Sequence, residues 1–347
     1  MGNNETEISD LGEFGLIDRL TKDFAISNTE TKLGIGDDAA ILSFGEKDVV
    51  VTTDLLLEGI HFDLRYVPLQ HLGYKAAIVN FSDVYAMNAT PRQLTVSIGV
   101  SSRFTVEHIE MLYAGIRKAC ENYGVDLVGG DTSASVTGLV ISITCIGDVA
   151  RGEEVKRSGA KPTDIICVSG DLGAAFMGLQ LLERENQVAA QQKDKDFQPD
   201  FSGKEYILER QLKPEARRDI VETLRKEGIR PTSMIDVSDG LSSELLHICK
   251  ASDVGCRVYE DKLPIDYQTA LMAEEFNMNL VTAAMNGGED YELLFTVPLT
   301  DHEKIEKLSG VKMIGYVTDK NLGAALVTRD GAEIPIKAQG WNAFNKV

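Results

Sequence analysis

Acidic residues recur where apolar runs end, most often beside glycine. In LGIGDDAAIL, Leu33–Leu42, Asp37 and Asp38 follow Gly34 and Gly36 and precede an apolar run. VVVTTDLL closes an apolar stretch on Thr52, Thr53 and Asp54, and AAIVNFSDVYAM sets Asp83 inside an otherwise apolar helical pattern. VDLVGGDTSAS ends an expected strand on Gly129, Gly130 and Asp131. MIDVSDGLSSELL carries Asp236 and Asp239 where a strand passes into a helix, and MNGGEDYELLF carries Glu289 and Asp290. A fold that draws these ends together must offset their repulsion, because a buried carboxylate without a partner is costly. A hard cation does so: Mg²⁺ takes oxygen ligands and usually arrives with substrate phosphates. The pattern points to a Mg²⁺-nucleotide site.

Each position also has a plainer reading. Gly and Asp are ordinary turn residues, so Asp37 and Asp38 can simply shape a turn. Asp83 can be a core carboxylate paired with a base such as Lys75. Asp236 and Asp239 can cap a helix, although a helix N-terminus also favours phosphate. Gly129 and Gly130 before Asp131 let a backbone approach a ligand closely, or form a turn. GIGDDA fits a dinucleotide fingerprint in letters only. Two carboxylates would repel a pyrophosphate, the preceding residues are polar, and AAILSF reads as a strand rather than a helix. SGKE lacks the other residues of a phosphate-binding P-loop, and no H-R-D or D-F-G of a protein kinase is present.

The 347 residues suggest two domains. A net charge of −19 argues against nucleic-acid or membrane-surface partners and means that an anionic substrate needs metal ions. The start lacks a signal-peptide pattern, no apolar run is long enough to span a bilayer, and the five cysteines are widely spaced. These features fit buried thiols in a reducing cytoplasm. Helices are expected at Glu13–Thr21, Leu69–Ala89 and Val106–Asn122, and strands at Asp48–Leu57, Gln93–Val100, Asp126–Gly129 and Leu139–Val149. VKRSGAKPTD is the best boundary, dividing the chain into 1–150 and 151–347. The polar segment Gln187–Gly203 reads as a solvated loop. The fold class is α/β (α+β), with two mixed α/β domains.

Taken in order, GEFGLI, GIGDDAAI, TTDLLLEGIHF, NFSDVYAM, GGDT, RSGAKPTD, IDVSDGL and NGGEDYEL resemble the thiamine-monophosphate kinase family, within the aminoimidazole ribonucleotide synthetase superfamily. The resemblance runs from Gly12 to about Phe344. It implies transfer of the γ-phosphate of ATP to thiamine monophosphate, with more than one Mg²⁺. It implies metal ligation by Asp38, Thr52, Thr53, Asp54, Asp83, Asp131, Asp236 and Asp239. It implies nucleotide contacts from Tyr113, Gly130, Asp131, Arg157 and Ser238, and acceptor contacts from His61, Glu289 and Trp341, the sole Trp. It also implies a homodimer paired through the N-terminal sheets, with ATP in the cleft. Without the family, His61 reads as an exposed loop residue and Trp341 as a C-terminal packing anchor. The acceptor is a phosphate monoester already largely ionised at pH 7, so no general base is expected. The alternatives are another ATP-using member of the superfamily, or a non-catalytic Mg²⁺-nucleotide scaffold. Selenophosphate synthetase uses a reactive Cys or selenocysteine near the N-terminus, whereas the first cysteine here is Cys120.

Overall fold

The computed structural model describes residues 31–33, 36–191 and 201–340. The helix expected at Glu13–Thr21, the residue Trp341 and part of the polar segment Gln187–Gly203 lie outside the described residues. The class is mixed α/β, built on two sheets.

The first sheet comprises β1 (Thr31–Leu33), β2 (Ala40–Phe44), β3 (Lys47–Leu57), β4 (Thr90–Val100), β5 (Asp126–Ala134) and β6 (Val140–Ala150). Its order is β1-β2-β3-β6-β4-β5. Only β4 and β5 pair in parallel. Such a pair needs a crossover, which is helix α2 (Val106–Tyr123), following α1 (Leu69–Ala86). Period-two alternation sends Val50, Leu56, Ile141, Ile143 and Cys145 into the core, whereas Thr53 and Leu55 are exposed on the other face. Two expectations change. The strand expected to stop at Gly129–Asp131 continues to Ala134, because pairing with β4 carries it past the glycines. Helix α1 stops at Ala86, three residues early, and Asn88 turns left-handed at φ 54°.

The second sheet comprises β7 (Ile165–Ser169), β8 (Ser233–Asp236), β9 (Val254–Tyr259), β10 (Leu293–Val297), β11 (Val311–Asp319), β12 (Ala324–Val327) and β13 (Glu333–Pro335). Its order is β13-β12-β9-β11-β7-β10-β8. Helices α3 (Ala174–Gln191), α4 (Glu205–Leu212), α5 (Arg218–Lys226) and α6 (Leu241–Ser252) accompany it. Strands β7, β8 and β10 are buried along their whole length because both faces are covered. Ile165, Cys167, Met234, Leu293 and Phe295 join the core that holds α1 and the first sheet. Ile166, Val168, Ile235 and Leu294 pack with Leu241, Leu245 and Ile248 of α6.

Helix α1 therefore lies between the sheets, touching β3, β6 and β8. From Leu72 to Ala86 every residue except Asp83 is buried. It meets α2 at two glycines: a Cβ on Gly73 would lie 1.9 Å from the Leu112 carbonyl oxygen, and one on Gly115 1.9 Å from that of Gln70. Only glycine allows this approach. All five cysteines are unpaired, and all but Cys249 are buried. No helix of the described residues is long and apolar enough to cross a membrane.

Candidate functional site

Four elements deliver carboxylates to one place. The turn before β2 carries Asp37 and Asp38, β3 presents Thr52 and Asp54 on its inner face, α1 carries Asp83, and β8 ends on Asp236. Single carboxylate oxygens of Asp38, Asp83 and Asp236 lie within 4.8 Å of one another. Thr52 Oγ1 donates to Asp83 Oδ2 at 2.6 Å, and Ser82 Oγ donates to Asp236 Oδ2 at 2.7 Å. Asp54 Oδ2 is buried with no hydrogen-bond partner among the described residues. Lys75 does not pair with Asp83; its ammonium is engaged elsewhere, as described below.

The charge balance is uneven. Arg157 forks onto Asp38, Nε to Oδ2 and a terminal nitrogen to Oδ1, both at 2.9 Å. Arg157, expected as a nucleotide contact, thus already holds a carboxylate. Asp37 accepts the backbone N–H of Asp38 at 3.0 Å and that of Arg157 at 3.3 Å, so it shapes the turn. The remaining acids feel burial and one another. Burial pushes Asp54 up to about 6. Burial and then Asp38 push Asp236 up to about 8 and Asp37 up to about 7. Asp83 stands well above the ordinary carboxylate range through burial and its neighbours Asp54, Asp236 and Asp38. Converging, under-neutralised oxygens, one of them orphaned, are a donor set that fits a hard divalent cation.

The other expected positions lie around or outside this cluster. Thr53 faces the opposite side of β3 and donates to the Ile143 carbonyl at 3.0 Å. Gly130 and Asp131 sit on β5, an exposed edge strand three positions from β3, where Asp131 accepts the Thr132 N–H at 2.8 Å. Tyr113 lines a groove of about 1100 Å³ between α2 and the start of β5; none of the clustered carboxylates lines it. Ser238 and Asp239 form the turn from β8 into α6, whose cap residue is Gly240 with no side-chain bond, so neither aspartate caps the helix. Glu244, missed in the sequence as an ordinary helix residue, is buried and accepts the Asp239 N–H at 2.8 Å. His61 is exposed beyond β3, and its Nδ1 accepts the Leu57 N–H at 3.0 Å.

Residues 289–292 form a second acid-rich stretch. Glu289 Oε1 lies 2.8 Å from Lys75 Nζ, and its Oε2 accepts Gln211 Nε2 at 2.8 Å. Asp290 accepts the N–H groups of Gly173 and Ala175 at the start of α3. Glu292 binds Arg210 at 3.0 Å and Arg217 at 2.6 Å. Glu289 and Tyr291 are left-handed, at φ 65° and 52°, which is uncommon outside glycine. The strain is held by backbone bonds: Glu289 N–H to the Ser238 carbonyl at 2.7 Å, Tyr291 N–H to that of Val237 at 2.9 Å. A Cβ on Gly340 would lie 2.0 Å from the Asp239 carbonyl oxygen, so the chain just before Trp341 is pressed onto this turn.

Relatives that match nearly the whole chain in sequence are named thiamine-monophosphate kinase. Residues 36–149 match the family model for the N-terminal domain of AIR synthase related proteins. The chain is 33% identical to the thiamine-monophosphate kinase of Bacillus subtilis, over 96% of this chain and 100% of that protein. It is 35% identical to that of Escherichia coli K12, over 96% and 98%. A solved structure of AaThiL complexed with AMPPCP and TMP superposes with a TM-score of 0.83 at 33% identity, covering 99% of this chain and 100% of that one. With such identity over nearly its whole length, the chain belongs to the thiamine-monophosphate kinase family.

Proposed function

We propose that the protein transfers the γ-phosphoryl group of ATP to thiamine monophosphate, giving thiamine diphosphate, in a Mg²⁺-dependent in-line displacement. The observation that carries this reading is the meeting of Asp38, Asp83 and Asp236 beside the orphaned oxygen of Asp54, in a member of this family. Bound Mg²⁺, more than one ion, would neutralise the phosphates' charge as the two polyanions meet. Asp38, Thr52, Asp54, Asp83 and Asp236 would hold it, with Asp239 at the rim. Thr53 and Asp131 stand outside this cluster, on strands three positions apart, so their ligand roles rest on the family resemblance alone. Arg157, held by Asp38, orients that carboxylate and offers its remaining donors to a phosphate.

Tyr113 and its groove, Gly130, Asp131, Arg157 and Ser238 are assigned to the nucleotide. His61, Glu289 and Trp341 are assigned to the acceptor. The acceptor phosphate needs no base, since its second pKa is about 6. Homodimer formation through the first sheet is supported by its unpacked outer face, where Leu55 is 53% exposed, and by exposed Leu127 and Val128 on β5. The break between the sheets, from Ala150 to Ile165, supports division into 1–150 and 151–347. The five free thiols support a cytoplasmic location.

A coupled assay of ATP turnover against a panel of acceptors, with and without EDTA, tests the reading. Turnover requiring both thiamine monophosphate and Mg²⁺ is expected. Turnover on another acceptor alone would make the protein a different member of the superfamily, and binding without turnover would make it a scaffold.

A further inference from the structure

We infer that Lys75 and Gln211 are positioning residues that make Glu289 a charge-compensated hydrogen-bond acceptor for the acceptor's pyrimidine amine, rather than a counter-ion for its cationic ring. The inference rests on the assignment of Glu289 to the acceptor.

Each Glu289 oxygen is held by a different element: Oε1 by Lys75 of α1 at 2.8 Å, Oε2 by Gln211 of α4 at 2.8 Å. Lys75 also donates to the Gln211 carbonyl at 3.0 Å, closing a three-membered network between the two halves of the chain. Lys75 is 7% exposed and Gln211 5%. An ammonium so deeply placed needs a counter-charge, and Glu289 supplies it. The pair is therefore close to neutral and attracts a bare cation weakly. A carboxylate has about four lone-pair sites, of which the network uses two. The Glu289 side chain stays 31% exposed, so the remaining sites are open to a ligand's N–H. Thiamine monophosphate offers N–H donors at the pyrimidine amine, whereas its thiazolium offers charge without a donor.

The same helix sets the distance to the phosphate end. Ser82 lies two turns beyond Lys75 on one face of α1 and holds Asp236 of the carboxylate cluster. Seven residues at 1.5 Å each place the amine-reading end about 10 Å along the helix from the phosphate-handling end.

The test compares three acceptors by steady-state kinetics: thiamine monophosphate, the analogue with an oxo group in place of the amine, and an analogue with an uncharged five-membered ring. The native enzyme is expected to lose roughly 100-fold in kcat/KM with the oxo analogue and clearly less with the uncharged ring. Lys75→Met is expected to raise the acceptor KM about 10–100-fold, to leave the ATP KM unchanged, and to weaken the preference for the amine. Gln211→Leu carries the same expectation and decides the matter if Lys75→Met does not fold in a thermal melt. Lys75→Met added to Glu289→Gln should cost nothing further. A greater loss with the uncharged ring than with the oxo analogue overturns the inference. So does a folded Lys75 or Gln211 variant with unchanged acceptor KM and unchanged preference. If Glu289→Gln itself leaves the acceptor KM unchanged, the acceptor assignment of Glu289 fails, a different result from failure of its support by Lys75.

Discussion

The carboxylates around Asp83 and those of residues 289–292 are both drawn into the interior, but they differ in what neutralises them. In the 289–292 stretch three acids meet three cations: Lys75 on Glu289, Arg210 near Asp290 and Glu292, and Arg217 on Glu292. Around Asp83, Arg157 is, among the described residues, the cation hydrogen-bonded to the cluster, and it serves Asp38. The matched stretch holds a strained turn in place. The unmatched cluster keeps repulsion in store and gains most from an added cation. Buried acid is therefore uninformative by itself; its shortfall of partners is what singles out the candidate site.

The strongest way to break this contrast is to remove one charge from the unmatched cluster. Asp83→Asn is expected to lower kcat at saturating ATP and Mg²⁺ on the order of a thousandfold, because on the proposed reading it deletes a ligand charge. The Tm of the ion-free variant should hold or rise, since repulsion is relieved. Near-native turnover would remove Asp83 from the metal site.

The reverse is expected in the matched stretch. Arg210→Leu takes one of two cations from buried Glu292 and the cation nearest Asp290, and should cost about 3 kcal/mol, a drop in Tm of several degrees. An unchanged Tm would mean that the ion pairs there contribute nothing to stability.

The smallest effect sharpens the comparison through pH. Asp236 is pushed up to about 8 and Asp54 to about 6, both above an unfolded value of about 3.9. A raised carboxylate stabilises the fold below its unfolded pKa and loses that contribution as pH rises through the folded one. Ion-free protein should therefore melt a few degrees lower at pH 8 than at pH 5. Mg²⁺ should restore the difference at pH 8, and Asp236→Asn should flatten the profile. A Tm that rises from pH 5 to pH 8 without metal would contradict this.

Much of the first sheet and its helices was legible from periodicity, because long apolar runs with clear alternation leave few alternatives. Asp83 stood out because an acid in an apolar helix is expensive. Long-range pairing was not legible. Lys75 was weighed as a partner for Asp83, eight residues away, yet it binds Glu289, more than two hundred residues on. Asp131 read as a strand end because glycines punctuate, whereas pairing with β4 extends the strand. Glu244 and Arg210 carried no signal in the sequence; only the tertiary fold buries Glu244 and draws Arg210 onto Asp290 and Glu292. Trp341 lies outside the described residues, so its acceptor role rests on the family alone.

The crossing of α1 and α2 has a consequence for how such an enzyme can be retuned. At Gly73 and Gly115 each helix meets a carbonyl oxygen of the other with no Cβ in between. Tyr113 stands two residues from one contact and Lys75 two from the other. The groove beside Tyr113 and the helix carrying Lys75, Ser82 and Asp83 are therefore geared together as one solid part. Side-chain substitution can change what each end grips, but not the interval between the grips. Under the proposed assignment of the acceptor, a longer or shorter one would require a change of helical register, in whole steps of about 1.5 Å.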